Sequence, residues 1–537
     1  MSGLSRRKLL RNAAGAVAAA AGAGLSGITG SAQKTGLTPD GGMVPFRLPM
    51  GALDYLDQKQ YISNMQVVSH LSGPSISSGE PLMVLWAKGR QRLLPANGGW
   101  VDISDAKKPV LMKSSQRLGG PVIYNKTLKK WIMMSTAAAP LTNGTPEHPL
   151  GQYEPEIHKL YDNYTGLRGI RNFDVTDPAN PKLLGEFSTG AKGMGTHMNF
   201  YDGGKYAYLE AGWGEDLRME NSQRAFSNGI MIVDMSDPAN VKEVSRWWVP
   251  GQKYGEEAEY KKYSFANDRS SWTGNHGSMM VPKRPEDGGT VGYVGMGAFG
   301  MYVMDLTDIR NPKPYGKFLW EYETMGGIPF HTVQPLIAHP RYPQLNGILL
   351  GTPETIHADC REPYKIPYVI DVKDPRNPKL VGMLPRPQAP KDAPYTDFCQ
   401  ARGRFGSHNQ QAWIAPGTAR PNIMAVTWFN AGLRVFDLTN PAQPKEVASF
   451  VPPRDGDIEK YESWWRGTSE NVFVEWDRNL IWLGAHEGTY CLSCPALGAP
   501  VFEPTRISAW SVPHANVGWD DSTSASIYLG RGISAFE

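Results

Sequence analysis

Four histidines sit in closely similar settings: "GTHMNF" holds His197, "GNHGSM" His276, "PFHTVQ" His331 and "GSHNQQ" His408. The chain has only 11 histidines in 537 residues, so their recurrence before strand-like runs needs a cause. Neutral imidazole is the commonest metal ligand near neutral pH. Imidazoles converging with a carboxylate make a donor set for iron, copper, zinc or manganese. The bland reading of the same pattern is a histidine that hydrogen-bonds a neighbouring repeat or lines a water-filled channel. Which reading applies depends on whether the four share one place in the fold.

A repeat supplies that place. "GGWVDISDAKKP" returns as "RGIRNFDVTDPANPKLLGEF", "NGIMIVDMSDPANVKEVSRW", "FGMYVMDLTDIRNPKPYGKF", "IPYVIDVKDPRNPKLVGML" and "AGLRVFDLTNPAQPKEVASF". The equivalent aspartates are Asp102, Asp174, Asp234, Asp305, Asp371 and Asp437. Two weaker copies follow, "GTYCLSCP" with Ser493 in the Asp place and "GISAFE" with Glu537 there. Successive spacings run from 44 to 72 residues. Each unit reads as an apolar strand ending in an Asp that can cap the next turn's amides, a Pro-directed turn, and a second strand. Adding the strand upstream and the histidine-bearing segment gives four strands, the size of a propeller blade.

The repeat resembles the signature of LVIVD-repeat β-propellers. That resemblance implies an all-β fold with a single propeller over residues 44–537. It implies no function, because propellers host enzymes, binding scaffolds and adhesion modules alike. Eight motifs predict eight four-stranded blades, or seven if a weak unit is an insertion. The last unit stops after its third strand. The segment "NMQVVSHLSG" (64–73) resembles an outer strand and is predicted to close the ring on the C-terminal blade, removing open sheet edges.

In this frame the four histidines precede their blade's aspartate by 37, 29, 40 and 29 residues, which puts them at the start of each innermost strand. The same alignment adds His514 ("VPHANV") and, in the blade before it, Glu470 ("TSENVF"). Innermost strands surround the axis, so these side chains converge. The prediction is one transition metal, iron or copper ahead of zinc or manganese, held among His197, His276, His331, His408 and His514. In arrangement, not in sequence, this resembles the iron site of carotenoid-cleaving oxygenases and the histidine site of selenium-binding-type thiol oxidases.

Loops between second and third strands open on the same face. They offer Trp213, Trp428, Asn430 and Arg531 as a substrate mouth with aromatic walls. Glu354, His357, His486 and Glu487, with Glu470, are candidate proton carriers or orienters of the ligating histidines. The function expected is a metal-dependent oxidoreductase or oxygenase acting on a small aromatic or hydrophobic substrate. Its alternatives are a non-catalytic binding propeller and a metallohydrolase in which Glu470 or Glu487 relays protons.

The N-terminus bears on compartment. "SRRKLLR" followed by an Ala/Gly-rich run and "GSAQ" reads as a signal peptide over residues 1–32, with a linker at 33–43. Its paired Arg6 and Arg7 resemble a twin-arginine export signal, which implies the twin-arginine export machinery as a partner and a periplasmic location. With 55 basic and 52 acidic residues, no basic face for nucleic acid is expected. No other stretch has the roughly 20 apolar residues that span a bilayer. In an oxidising compartment disulfides are the expectation for the four cysteines, with Cys360–Cys399 as the first pairing. "CLSC" (Cys491, Cys494) is too short of ligands for a zinc clip.

Overall fold

The computed structural model describes residues 50–498 apart from 74, 77–85, 89–90, 97–98, 117–118, 126, 140–162, 218–227, 265–272, 278, 320–327, 337–340, 356–357, 361–364, 412–419 and 455–468. Among the described residues, strands form seven antiparallel sheets, six of four strands and one of three. Two strands come before the first blade, β1 (Tyr61–Ser63) and β2 (Gln66–Ser72). Blade one is β3 (Trp86–Lys88), β4 (Gln91–Ala96), β5 (Gly99–Asp102) and β6 (Val110–Lys113). Blade two is β7 (Val122–Asn125), β8 (Lys130–Ala137), β9 (Gly169–Asp174) and β10 (Lys182–Ser188). Blade three is β11 (Gly195–Tyr201), β12 (Tyr206–Gly212), β13 (Gly229–Asp234) and β14 (Lys242–Trp247).

Blade four has β15 (Val291–Gly295), β16 (Met301–Asp305) and β17 (Lys313–Phe318), with a single Met280–Tyr293 bridge at its innermost position. Blade five is β18 (Ile328–Pro335), β19 (Ile348–Glu354), β20 (Tyr368–Asp371) and β21 (Lys379–Met383). Blade six has β22 (Ile423–Thr427), β23 (Leu433–Asp437) and β24 (Lys445–Val451), with a Gln410–Val426 bridge inside and β1 added outside. Blade seven is β25 (Ser469–Glu475), β26 (Leu480–Ala485) and β27 (Gly488–Ser493), completed by β2.

The repeat motif builds each blade's turn. At Asp102, Asp174, Asp234, Asp305, Asp371 and Asp437 the carboxylate accepts the amide two residues on, at 2.8–3.0 Å. Three residues later Asp105, Asp177, Asp237, Asp308, Asp374 and Asn440 repeat the move at 2.9–3.1 Å. Both are Asx turns, which satisfy amides that leave the sheet ladder.

That turn also locks onto the preceding blade. A Cβ on Gly185 of β10 would lie 2.4 Å from Ala239 O, one on Gly316 of β17 2.5 Å from Pro375 O, and one on Gly382 of β21 2.4 Å from Pro441 O. The outer strand of one blade is therefore glycine where the next blade's turn presses against it. Where serine takes the glycine's role, its hydroxyl donates to the turn instead: Ser245 Oγ to Ile309 O at 2.8 Å and Ser69 Oγ to Ala106 O at 2.6 Å.

Ser69 belongs to the closure. β2 pairs with β27 from Gln66–Ser493 to Ser72–Gly488, and β1 pairs with β24 from Tyr61–Val451 to Ser63–Ser449. On the inner side of the same seam, the buried Arg92 of blade one donates to Glu475 and, at 3.1 Å, to Asp477 of blade seven. Arg478 adds bonds to Ser104 O at 3.0 Å and Ile103 O at 2.8 Å. The ring has seven blades, not the eight that the motif count predicts. The N-terminal strand completes the "GTYCLSCP" unit, and that unit abuts blade one, so no edge remains for another blade between them. The signal segment and the "GISAFE" unit lie outside the described residues.

Six indoles, those of Trp86, Trp100, Trp131, Trp213, Trp428 and Trp482, are fully buried. Cys360 and Cys399 form a disulfide, while Cys491 and Cys494 are buried free thiols. No helix among the described residues is long and apolar enough to cross a membrane.

Candidate functional site

The backbone departs from regular pairing where the axis residues stand. In blade three the register between β11 and β12 shifts between Thr196 and Asn199, so His197 and Met198 face Glu210 alone. In blade five it shifts between Ile328 and Thr332, setting Pro329, Phe330 and His331 against Pro353. In blade seven Glu470 is the unpaired residue between Ser469 and Asn471. Bulges of this kind re-aim a side chain. The small residues around each histidine have a reason too. Gly277 follows His276 with φ +113°, and a Cβ there would lie 2.0 Å from His331 O. Innermost strands of adjacent blades approach too closely for a side chain at that point.

Four of the five predicted histidines form one continuous arc. Ring centroids are 5.0 Å apart for His197–His276, 4.8 Å for His276–His331 and 4.9 Å for His331–His408. His276, His331 and His408 are buried and His197 is half-buried. His514 lies outside the described residues.

Glu354, at the end of β19, projects into this arc. Its Oε2 is 3.1 Å from His276 Nε2 and 3.5 Å from His331 Nε2, and its Oε1 is 3.7 Å from His408 Nε2. Arg404 donates to Oε1 as well. One donor atom each from His276, His331 and Glu354 lie within 4.8 Å of one another. Beyond the arc, Glu470 Oε2 is 3.1 Å from His408 Nδ1.

Glu210 holds the other side of His276. Its Oε1 is 3.3 Å from His276 Nδ1 and accepts from Asn228 Nδ2 at 2.7 Å. Its Oε2 accepts the Gly277 amide at 3.1 Å and the Met198 amide at 3.2 Å. A fully buried carboxylate with four donors is rigid, and it fixes the imidazole it faces.

The electrostatics follow from these contacts. Burial would lower the His276 pKa, but Glu210 and Glu354 on its two nitrogens outweigh it and push the imidazole up to about 10. Burial dominates at His331 and holds it well below the ordinary value, with Glu354 opposing only in part. Burial also lowers His197. Burial would raise the Glu354 carboxyl, yet His408, Arg404 and His276 hold it well below the usual carboxylate range. Glu210 is likewise raised by burial and lowered overall, chiefly by His276. His331 Nδ1 is bonded to Thr332 Oγ1 at 2.7 Å, while its Nε2 is buried with no hydrogen-bond partner. Buried polar atoms are rarely left this way, and a missing ion is one of the explanations such an atom calls for.

The other predicted residues are spread more widely. His486 is exposed and Glu487 half-buried in the turn joining β26 to β27, where Glu487 O accepts the Gly73 amide at 3.2 Å. Trp213 is buried, donating to Asp216 at 2.6 Å, with the Arg246 guanidinium 4.9 Å over its ring. Trp428 is buried against Phe405, and Asn430 donates to Phe398 O at 3.1 Å and Arg402 O at 2.8 Å. These three hold the loops together. His357 and Arg531 lie outside the described residues.

Glu210 stands with Trp213 in the mouth segment "LEAGWGED" of the sequence, whereas Arg404 and Phe429 were not among the predicted site residues. Glu210 carries a signal, since it is the lone charged residue within the strand "YAYLEAG", as Glu354 is in "ILLGTPE". Arg404 sits four residues before His408 in "GRFGSH". Phe429 has φ +35°, and its ring lies 4.8 Å from the His408 ring and 3.6 Å from the Arg404 guanidinium. Strain of this kind in a non-glycine residue gathers at functional sites.

Residues 225–248 match the LVIVD repeat, which here spans β13 and β14 with the turn between them. No curated protein matches the chain in sequence. Among solved structures, the β-propeller domain of Cps50 (Swd1) from Myceliophteria thermophila aligns with a TM-score of 0.40 and 10% identity, covering 79% of this chain and 99% of that one.

Proposed function

We propose that this propeller is a periplasmic metal-dependent oxidoreductase or oxygenase, with one transition metal, iron or copper first, held by His276, His331 and Glu354. The observation that carries the reading is the His331 Nε2 atom, buried and without a hydrogen-bond partner beside donors of His276 and Glu354 within 4.8 Å. Two imidazoles and one carboxylate leaving open positions is the donor set of non-haem iron oxygenases. A redox-active ion bound there supplies one-electron chemistry or activation of oxygen for a small aromatic or hydrophobic substrate.

The chain's own residues have definite tasks. Glu210 accepts a hydrogen bond from Nδ1–H of His276, leaving Nε2 as the donor atom, the pattern that fixes ligand tautomer in metal proteins. Thr332 occupies Nδ1 of His331 and so leaves its Nε2 facing the cluster. Phe429, packed on His408 and Arg404, keeps water from that side of the cluster. His197 and His408 flank the triad as further candidate ligands, and Glu470 holds the outer nitrogen of His408.

A second reading, a non-catalytic scaffold or binding propeller, has its own support. A doubly charged His276–Arg404 pair against Glu210 and Glu354 is a self-compensated ion network that can stand without a metal. Metal analysis of protein purified from the periplasm separates the readings. One equivalent of iron or copper, lost in H331A and E354Q with folding retained, is the expected result. Zinc in its place would favour the metallohydrolase, and metal-free protein the scaffold.

A further inference from the structure

The two oxygens of Glu354 are divided between different partners. Oε2 faces His276 Nε2 at 3.1 Å and His331 Nε2 at 3.5 Å, the two imidazole nitrogens of the proposed site. Oε1 is turned to the opposite side, where it accepts from Arg404 and lies 3.7 Å from His408 Nε2. Arg404 is itself immobilised. Its Nε donates to Thr355 O at 2.7 Å, its guanidinium lies 3.6 Å over the Phe429 ring, and it is 2% exposed. Thr355 follows Glu354 directly, so one planar guanidinium spans the ligand's backbone neighbourhood and its carboxylate. That fork geometry is available to Arg and not to Lys.

We propose that Arg404 is a positioning residue that makes Glu354 a one-oxygen ligand. The inference rests on the metal reading above. A carboxylate can give a cation one oxygen or both. Giving both would fill a coordination position that substrate needs. A charge-assisted bond from a buried guanidinium is about twice as strong as a neutral one, enough to keep Oε1 engaged while Oε2 binds the ion. Arg404 touches neither substrate nor metal in this arrangement; it acts through Glu354.

The test uses Zn²⁺ as the probe ion on the full chain, in wild type, R404L and R404K. Affinity is measured by competition with a chelator, and coordination from crystals of the Zn²⁺-loaded proteins. The expected wild-type structure has one Glu354 oxygen about 2.0–2.2 Å from zinc, with the other still on Arg404. R404L is expected to bind Zn²⁺ roughly 10–100-fold more weakly, the usual loss when an outer partner of a ligand is removed. Its Glu354 either swings away or gives both oxygens, and R404K restores the affinity only in part. Wild-type crystals with both Glu354 oxygens on zinc would overturn the role of Arg404 and leave the metal reading standing. So would an R404L protein with unchanged geometry and affinity within about twofold. Wild-type protein with no zinc on His276 and His331 would overturn both. If R404L fails to fold, the wild-type crystal alone decides.

Discussion

His331 Nε2 and Glu354 Oε2 lie 3.5 Å apart although the regular ladder of blade five pairs Glu354 with Ile328. Between that pair and Thr332–Thr352 the bulge sets Pro329, Phe330 and His331 against Pro353, so the histidine stands in irregular backbone beside the carboxylate. The site is therefore a property of irregular backbone laid over a regular repeat. Disturbing the bulge should cost function before it costs the blade.

Glu210 gives the first test of this. Glu210→Gln keeps an acceptor for the Gly277 amide but removes the charge facing His276 Nδ1. Metal affinity should fall by roughly 10–100-fold, while circular dichroism and gel-filtration volume stay those of wild type. Unchanged affinity would show that His276 is not oriented by Glu210.

The closing seam makes a stability prediction. Arg92→Leu leaves Asp477 without its guanidinium and Glu475 with Arg478 and Trp482 as its remaining partners. Breaking a buried pair from one side costs about 3–5 kcal/mol, readable as a lower urea midpoint. Metal content should hold, because Glu475 and Glu470 stand at opposite ends of β25. Deleting residues up to 73, and with them β1 and β2, should abolish the cooperative transition altogether. A truncated protein that melts like the intact one would refute the closure.

Gly316 tests the meshing of blades. Gly316→Ala places a methyl 2.5 Å from Pro375 O, backbone that cannot rotate away. The expected cost is about 1–3 kcal/mol, the usual range for overpacking. An alanine introduced at the open Gly73, where nothing lies within 4 Å, serves as the control for added side-chain volume, though its φ of +98° adds some strain of its own.

Acid should unfold the propeller through its repeat aspartates. At Asp174 burial would raise the carboxyl, but Lys130 and Thr176 hold it below the ordinary range. Asp234, with Ser236, and Asp305, with Thr307, behave alike against the same burial effect. A carboxyl lowered on folding contributes stability above its unfolded pKa of about 3.9 and loses it as pH falls through the folded value. Urea midpoints should thus drop steeply below about pH 4. The triple variant D174N/D234N/D305N, which keeps an oxygen acceptor at each turn, should show a shallower drop, and an identical pH profile would refute the assignment.

Much of this architecture is legible in the sequence, because it is written six times. One Asp caps one turn, and the alignment of those turns places His197, His276, His331 and His408 at equivalent heights on inner strands. Two things do not repeat and so escape such alignment. The count of blades depends on which edge β2 occupies, a pairing between residues at opposite ends of the chain. The guanidinium of the cluster comes from the long loop between β21 and β22, so the contact of Arg404 with Glu354, a carboxylate the sequence does offer as a candidate, is not written in the repeat. Trp213 and Trp428 read as the aromatic walls of a mouth, and in the structure each is fully buried among loop residues.

The pairing of Gln66 with Ser493 sets a clock on biosynthesis. A ribosome adding about 5–20 residues per second makes β2 early and needs roughly twenty seconds to over a minute more before β27 exists to receive it. Through that interval six blades can form while the strand that must seal the seventh waits with both edges open. Open edges invite pairing with other chains, and β2 carries polar Gln66, Ser69, His70 and Ser72 among its seven residues and is only partly covered even when docked. Closure of the ring therefore waits on the last blade, because the strand that seals it is made first and its partner last.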